Sequence, residues 1–422
     1  MITSLYGIIT LLAVLTAIFS YINVRFIKLP TTIGIMIISM VCSLFILWLG
    51  KYFPSITSYI TSLIGTIDFE TILMRAMLSF LLFAGAIHID VQKLRREIIP
   101  IISYSTIGII ISTVFIGIVM FLIFQLFGVN IHFIYCLLFG SLISPTDPIA
   151  VLAILKQARI PASIEIKISG ESLFNDGVGV VVFISLLDIA LMGGENHGVF
   201  QTGLLFLKEA GGGIIWGILL GYAGYYLLKS IDQYQVEVMI TVAVVMGGYY
   251  MASLLHVSGP LAMVVAGIII GNKGSREAMS ETTRDYVNKF WELIDEMLNA
   301  LLFLLIGFEM IVLKFDQKII IIGLIAILVS LAARYISVFI PTLFMSYKKT
   351  FERNMLPILT WGGLRGGISV ALALSLPKGE FRTILVSITY IIVVFSILVQ
   401  GLTIGKLVKK LAQKEKKAQR AV

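Results

Sequence analysis

SPTDP at residues 144–148 and WGGLRGG at residues 361–367 each interrupt a long apolar run with helix breakers and one charge, Asp147 in the first and Arg365 in the second. Proline removes a helical hydrogen bond and glycine costs a helix about 1 kcal/mol, so neither stretch continues as a regular helix. Irregular backbone at membrane depth is tolerated only where it is buried in protein or lines a cavity. Working outward from these breaks, the apolar runs give thirteen segments, near residues 5–24, 31–49, 71–89, 98–126, 131–155, 168–192, 202–228, 236–255, 258–271, 290–312, 319–346, 354–376 and 382–408. The breaks fall in segments 5 and 12. Thirteen divides as six, one and six, and segments n and n+7 then run in opposite directions because seven is odd. This arrangement predicts an all-α polytopic membrane protein with a 6+1+6 inverted-topology repeat whose interrupted segments 5 and 12 cross.

Composition agrees with a chain in lipid. Of 422 residues, 58% are hydrophobic and 13% charged, against roughly 45–50% and about 25% in soluble domains. Runs of about 20 apolar residues are long enough to cross ~30 Å of hydrocarbon. Such a chain is not a cytosolic globular enzyme, and period-two strands of barrel type are absent. Cys42 and Cys136 lie inside apolar runs and offer no disulfide or metal framework. Four scattered histidines (His88, His132, His197 and His256) cannot supply the paired axial ligands of a multi-haem carrier. No G-x-x-x-x-G-K-[ST] motif is present, which argues against ATP as the energy source.

The net charge of +8 is placed for orientation and not for nucleic acid. Alternate loops from Arg25 and Lys28 to the tail at Lys406–Arg420 hold 23 Lys/Arg, whereas the opposite set holds five. By the positive-inside rule the C-terminus is cytoplasmic and the N-terminus outside. The first segment has no Lys or Arg before Arg25 and reads as a span, not a cleaved signal peptide. The stretch from Tyr52 to Asp68 reads as interfacial, and the mixed-charge loop from Asn272 to Lys289 as a solvated face. Residues 1–408 read as one integral domain and 409–422 as a short basic tail. Gly211–Gly213, Gly217, Gly221 and Gly224 read as close-packing scaffold.

A charge at the bilayer centre costs at least ~2.5–3.5 kcal/mol on insertion scales, so each one needs a partner or a function. Asp147 and Asp176 both fall about 12 Å deep, near the midplane, at 1.5 Å per residue. Around Asp176 the chain reads GESLFNDG, with Ser172 and Asp176 on one helix face and Glu171 and Asn175 on another. Carboxylate, hydroxyl and freed carbonyl oxygens suit a hard cation. One midplane carboxylate that takes either a proton or a cation is the minimum machinery for exchange. Asp188 reads as helix glue, and Lys208, Glu209, Glu292, Asp295, Glu296 and Glu309 as snorkelling or capping groups near helix ends. Arg334 and Arg365 lie in mid-span and require neutralisation. Glu171 is the natural counter-ion for one of them, with Asp147 or Asp176 as alternatives.

SPTDPIAVLAIL, GESLFNDGVGVVVF, FLLIGFEM and WGGLRGGISVALALSLP together resemble the monovalent cation:proton antiporter-1 family of sodium/proton exchangers, in its prokaryotic form. The resemblance covers essentially all thirteen segments. It implies that Asp176 alternately binds H⁺ and Na⁺, and that Asn175, Thr146, Asp147 and Ser172 support it, with Na⁺ at Asp176, Ser172 and Thr146. It implies that Glu171 pairs with Arg334 and Arg365. It further implies a homodimer whose protomers each have a mobile core, including segments 5, 6, 12 and 13, and a dimerisation domain. Phe83-Ala84-Gly85 occupies a place where many relatives carry an acid, which departs from the pattern.

The leading reading is therefore a sodium/proton antiporter of the cell (inner) membrane serving pH homeostasis. It works by alternating access with one-to-one electroneutral exchange, and needs no cofactor beyond the transported Na⁺ or Li⁺ and H⁺. A potassium/proton antiporter is the alternative within transport, because oxygen ligands alone do not fix cavity size. A cation channel would need a symmetric pore-loop repeat, and a membrane-embedded hydrolase a Ser–His–Asp set or a His/Glu metal motif. Neither pattern is seen.

Overall fold

A computed structural model describes residues 5–55, 71–147, 162–191, 199–313, 315–345 and 355–420. Most of the expected interfacial stretch, the second half of segment 5 from Pro148, and the basic positions 156–159 and 348–353 lie outside the described residues. The helices are α1 (Leu5–Ile22), α2 (Thr31–Leu49), α3 (Leu78–Ile87), α4 (Val91–Arg96), α5 (Ile98–Ser105), α6 (Ile107–Leu126), α7 (Phe133–Ile143) and α8 (Ala162–Leu191). They continue as α9 (Val199–Lys229), α10 (Tyr234–Leu254), α11 (Gly259–Ile269), α12 (Glu281–Glu309), α13 (Gln317–Met345), α14 (Met355–Gly362), α15 (Gly367–Leu374), α16 (Glu380–Phe395) and α17 (Gly401–Arg420). Helix thus occupies part or all of every expected segment, and eight helical stretches among the described residues are long and apolar enough to cross a membrane. There is no strand among them, only an isolated two-residue bridge between Asp147 and Leu364.

Local chemistry explains where the helices start and bend. Ser258 and Ser280 cap α11 and α12, their hydroxyls accepting the N–H groups of Leu261 and Thr283. Segment 4, expected as one run, is offset at Thr106 between α5 and α6. The Thr106 hydroxyl bonds back to the Ile102 carbonyl at 2.6 Å, a contact that bends helices. Helix α12 begins at Glu281, about nine residues before the expected start of segment 10, so much of the expected solvated face is helix. Helix α17 runs from Gly401 to Arg420, through the expected boundary between domain and tail.

Two bundles emerge from the packing. In one, α6 packs on α7 and α13, α13 on α14 and α16, α8 on α5 and α7, and α15 on α16 and α7. In the other, α9 packs on α10 and α11, α11 on α3 and α10, and α12 on α2, α3 and α10. The pairings obey the exchange n→n+7. Segments 2 and 10 (α2 on α12) map onto segments 9 and 3 (α11 on α3), and segments 4 and 5 (α6 on α7) onto 11 and 12 (α13 on α14). The repeat inferred from two matched breaks is therefore also a repeat of contacts. Helix α8 touches both bundles, against α9 and α11 on one side and α5 and α7 on the other.

Candidate functional site: two crossed helix breaks at the foot of an acidic cavity

The breaks of segments 5 and 12 meet. The Asp147 N–H donates to the Leu364 carbonyl at 2.8 Å. Each break then serves the other's half-helix end. The guanidinium of Arg365 donates to the carbonyls of Ser144 (2.5 Å) and Pro145 (2.9 Å), just beyond the C-terminus of α7, where orphan carbonyls and the negative end of the helix dipole attract a cation. In return, the Asp147 carboxylate lies against Gly366, at the N-terminus of α15, where a negative charge is favoured. Any side chain at Gly366 would collide with that carboxylate. Gly363, earlier in the same break, lies so close to the Arg334 side chain that a Cβ there would also collide.

Arg334, on α13, secures the break from the opposite side. Its two terminal nitrogens donate to both carboxylate oxygens of Glu171, a bidentate pair. Its Nε donates to the Leu359 carbonyl at 3.1 Å, in the last turn of α14. Of the two arginines that Glu171 was expected to neutralise, Arg334 makes the ion pair, whereas Arg365 bonds to backbone carbonyls. Glu171 is 1% exposed.

Asn175, Thr146 and Ser172 form a buried knot between α8 and the unwound part of segment 5. The Thr146 N–H donates to Asn175 Oδ1 (3.2 Å), Asn175 Nδ2 donates to Thr146 Oγ1 (2.8 Å), and the Thr146 and Ser172 hydroxyls share a hydrogen bond of 3.2 Å. Asn175 thus gives the Thr146 N–H an acceptor where the chain leaves the helix at Pro145. All three are buried beside Asp176 and do not themselves line the cavity.

A cavity of about 700 Å³ runs between the two bundles to Asp147 and Asp176. Exposed Lys93 and the neighbouring Asp90 lie at its mouth, in the connection after α3, one of the loops rich in Lys and Arg. Asp176, at its foot, is 8% exposed. Its carboxylate has no basic or hydrogen-bond partner among the described residues, and Asp147 is close enough for the two charges to interact. Among the described residues no group of three or more His, Cys, Asp or Glu is arranged to hold a metal ion.

Several contributors escaped the sequence reading. A π-helical turn, Ser396–Gln400, presents two side chains to the break in segment 12: Ser396 accepts the Arg365 N–H (2.9 Å) and Gln400 donates to the Trp361 carbonyl (3.0 Å). Glu292, Asp295 and Glu296, read as helix-end groups, line the cavity instead, because α12 starts so early that they lie inside it. Together with Asn299 they stand at i, i+3, i+4 and i+7, one helix face, and that spacing was the available signal. Ala84 also lines the cavity.

Crossed, interrupted helices related by an inverted repeat, with carboxylates at the foot of a cavity between two bundles, place the molecule in the class of helical secondary-transporter folds. The chain belongs to the sodium/hydrogen exchanger family: residues 12–410 match the family described as "Sodium/hydrogen exchanger, transmembrane". It is 50% identical over 402 residues to the Na(+)/H(+) antiporter NhaP of Pseudomonas aeruginosa, covering 94% of this chain and 95% of that one. It is 35% identical over 353 residues to the Na(+)/H(+) antiporter NhaH of Halobacillus dabanensis, covering 81% and 84%. In fold it resembles the sodium proton antiporter MjNhaP1 from Methanocaldococcus jannaschii, with a TM-score of 0.77 at 19% identity over 96% of this chain and 98% of that one.

Proposed function

We propose that this chain is a sodium/proton antiporter in which Asp176 alternately carries H⁺ and Na⁺, with Thr146 and Ser172 contributing oxygens to the Na⁺ form. The observation that carries the reading is the contrast in engagement around the cavity foot. Glu171 is clamped by Arg334 and Asp147 sits against a helix N-terminus, whereas Asp176 faces the cavity without a counter-ion among the described residues. A carboxylate left unpaired at this depth calls for a proton or a cation. The relatives named as Na⁺/H⁺ antiporters match over nearly the whole chain, which supports the same ion pair.

The cycle is alternating access. The bundle of segments 4–6 and 11–13 moves against the other bundle and carries Asp176 between a cytoplasmic and an external opening. The present cavity faces the cytoplasm, because its mouth lies at the end that carries 23 of the basic residues. The protein crosses the cell membrane thirteen times, with its N-terminus outside and its C-terminus inside, works as a homodimer in pH homeostasis, and uses no cofactor beyond the transported ions. Dequenching of a pH dye in proteoliposomes on addition of Na⁺, Li⁺ or K⁺ tests the reading. Na⁺ and Li⁺ should move protons. A response to K⁺ alone would replace sodium exchange by potassium exchange, and no response to any cation would remove the reading.

A further inference from the structure

Across the cavity from Asp176 the wall is formed by α3 and α12. Helix α3 contributes Leu81, Leu82, Ala84 and Gly85, which bring no side-chain oxygen. Helix α12 brings Asp295 and Asn299, one turn apart. Asn299 is 1% exposed and donates through Nδ2 to the backbone carbonyl (2.8 Å) and Oδ1 (3.0 Å) of Asp295. Those two bonds fix the amide, since the reverse orientation would set its oxygen against two acceptors. Asn299 Oδ1 is then a buried acceptor without a donor. Such a group is costly to bury unless something satisfies it. The usual remedy, a neighbouring N–H or O–H, is missing among the described residues. The surroundings are strongly negative: seven carboxylates and a single lysine line the cavity, and Asp295 feels the charge of Asp147 across it as well as those of Glu292 and Glu296. The nearby Lys289 is engaged by Asp285 at 2.7 Å and does not neutralise them.

We propose that Asp295 and Asn299 form a second cation site, a waiting position for a monovalent ion on the wall opposite Asp176. A carboxylate oxygen and an amide carbonyl oxygen are both ligands for a hard cation, and waters from the cavity complete its shell. From here the ion crosses to Asp176 when that group loses its proton. The acidic wall concentrates cations at the site as it does along any cleft lined by one sign of charge. The two positions lie on different bundles, so the waiting ion stays with α12 when the bundle carrying Asp176 moves. The crossing step rests on the exchange reading above, but the binding site itself does not.

Binding of ²²Na⁺ to the purified full-length chain separates the two. The variant Asp176→Asn removes the carrier carboxylate and should still bind ²²Na⁺ displaceably. Adding Asp295→Asn or Asn299→Ala to it should weaken that binding about tenfold. A third double variant, with Asn299→Asp, distinguishes a ligand from a tether. Aspartate keeps an oxygen but has no N–H to hold Asp295, so a ligand role predicts binding at least as tight as in Asp176→Asn alone, and a tether role predicts the same loss as Asn299→Ala. Thermal melting in detergent identifies folded variants, and Asp295→Asn, which leaves the acceptor oxygen for Asn299 in place, is the conservative one. The proposal is overturned if Asp176→Asn binds no more ²²Na⁺ than the double variant with Asp295→Asn, or if Asn299→Asp behaves as Asn299→Ala. Absence of Na⁺-driven proton movement in wild-type liposomes would instead remove the exchange reading and leave the binding result standing.

Discussion

Glu171 and Asp176 are carboxylates five residues apart on one helix, both in the buried part of α8, and they meet opposite surroundings. Glu171 faces Arg334 and is held at both oxygens; Asp176 faces the cavity and, among the described residues, has another carboxylate as its charged neighbour. Chemical identity and depth are nearly the same, so the partner decides the role. One residue neutralises a guanidinium that caps a half-helix, and the other is the carboxylate to which we assign the transported ion. The largest effect should follow from removing the second: Asp176→Asn is expected to abolish exchange in proteoliposomes while melting close to the wild type, since an amide cannot carry the transported proton. Normal transport by the folded variant would break the contrast.

The next effect falls on stability. Breaking a buried ion pair by removing one partner costs roughly 3–5 kcal/mol, because the remaining charge is stranded. Glu171→Gln leaves Arg334 uncompensated at 6% exposure. Its Tm in detergent should therefore lie clearly below that of Asp176→Asn. Equal melting temperatures would make the two carboxylates alike and move Glu171 into the ion site.

The same pair shows what could be read beforehand and what could not. The breaks at 144–148 and 361–367 were legible because proline and glycine act locally and because a charge within an apolar run stands out. Depth followed from counting residues, and so did the candidacy of Asp176. Glu171 was legible as a counter-ion, but which of the two arginines it takes was not. Arg365 satisfies carbonyls of Ser144 and Pro145, and backbone atoms carry no sequence signal for such a bond. Ser396 and Gln400 were silent for the same reason, reaching the break through a π-helical turn that nothing in their spacing announces. Asp295 and Asn299 were hidden by a misplaced helix start. With α12 begun at Glu281, their i, i+4 relation becomes a face, and the capping reading loses its basis.

A smaller effect tests whether the crossed breaks hold the site in place. Gly366 has no room for a Cβ beside the Asp147 carboxylate, whereas Gly379 has nothing within 4 Å and an extended backbone at φ 169°. Gly366→Ala should cost about 1–3 kcal/mol, as overpacking does, and should slow exchange by displacing Asp147. Gly379→Ala should stay within about 0.5 kcal/mol of the wild type. Equivalent losses at the two glycines, in melting and in transport, would show that the close approach at Gly366 has no bearing on the site.

A subtler comparison is between the two ions at one carboxylate. If H⁺ and Na⁺ compete for Asp176, lowering the pH should raise the apparent KM for Na⁺, approaching ~tenfold per pH unit once the group is mostly protonated, by simple mass action. The sign is fixed: protons occupy the site, so acid weakens Na⁺ and added Na⁺ restores the rate. Alkaline pH limits the rate differently, through lack of protons for the return leg. Initial rates over a grid of pH and Na⁺ measure this, and an acid limb that saturating Na⁺ fails to relieve would count against a shared site.

The smallest expected effect is none at all, and it bears on Asp147 and Asp176 as a pair. Of the adjacent Asn175 and Asp176, only the second ionises, and Asn175 is committed through both its amide atoms to Thr146. Asp147 is ionisable and near, so it could in principle carry a second proton. Its position argues otherwise: it lies against the N-terminus of α15, where the helix dipole favours the anion, and its own N–H is tied to Leu364. An Asp147 that stays charged throughout leaves one carrier carboxylate per cycle, neutralised by a single H⁺ or a single Na⁺ on either leg. Exchange is then one-to-one and indifferent to a membrane potential, which acts at ~2.3 kcal/mol per moved charge per 100 mV. With potassium and valinomycin setting the potential across proteoliposomes at fixed ion gradients, stepping the voltage should change neither the rate nor the extent of Na⁺ uptake. Two protons per Na⁺ would instead drive accumulation with each step, and that result would make Asp147 a second carrier rather than a partner of the crossed helix.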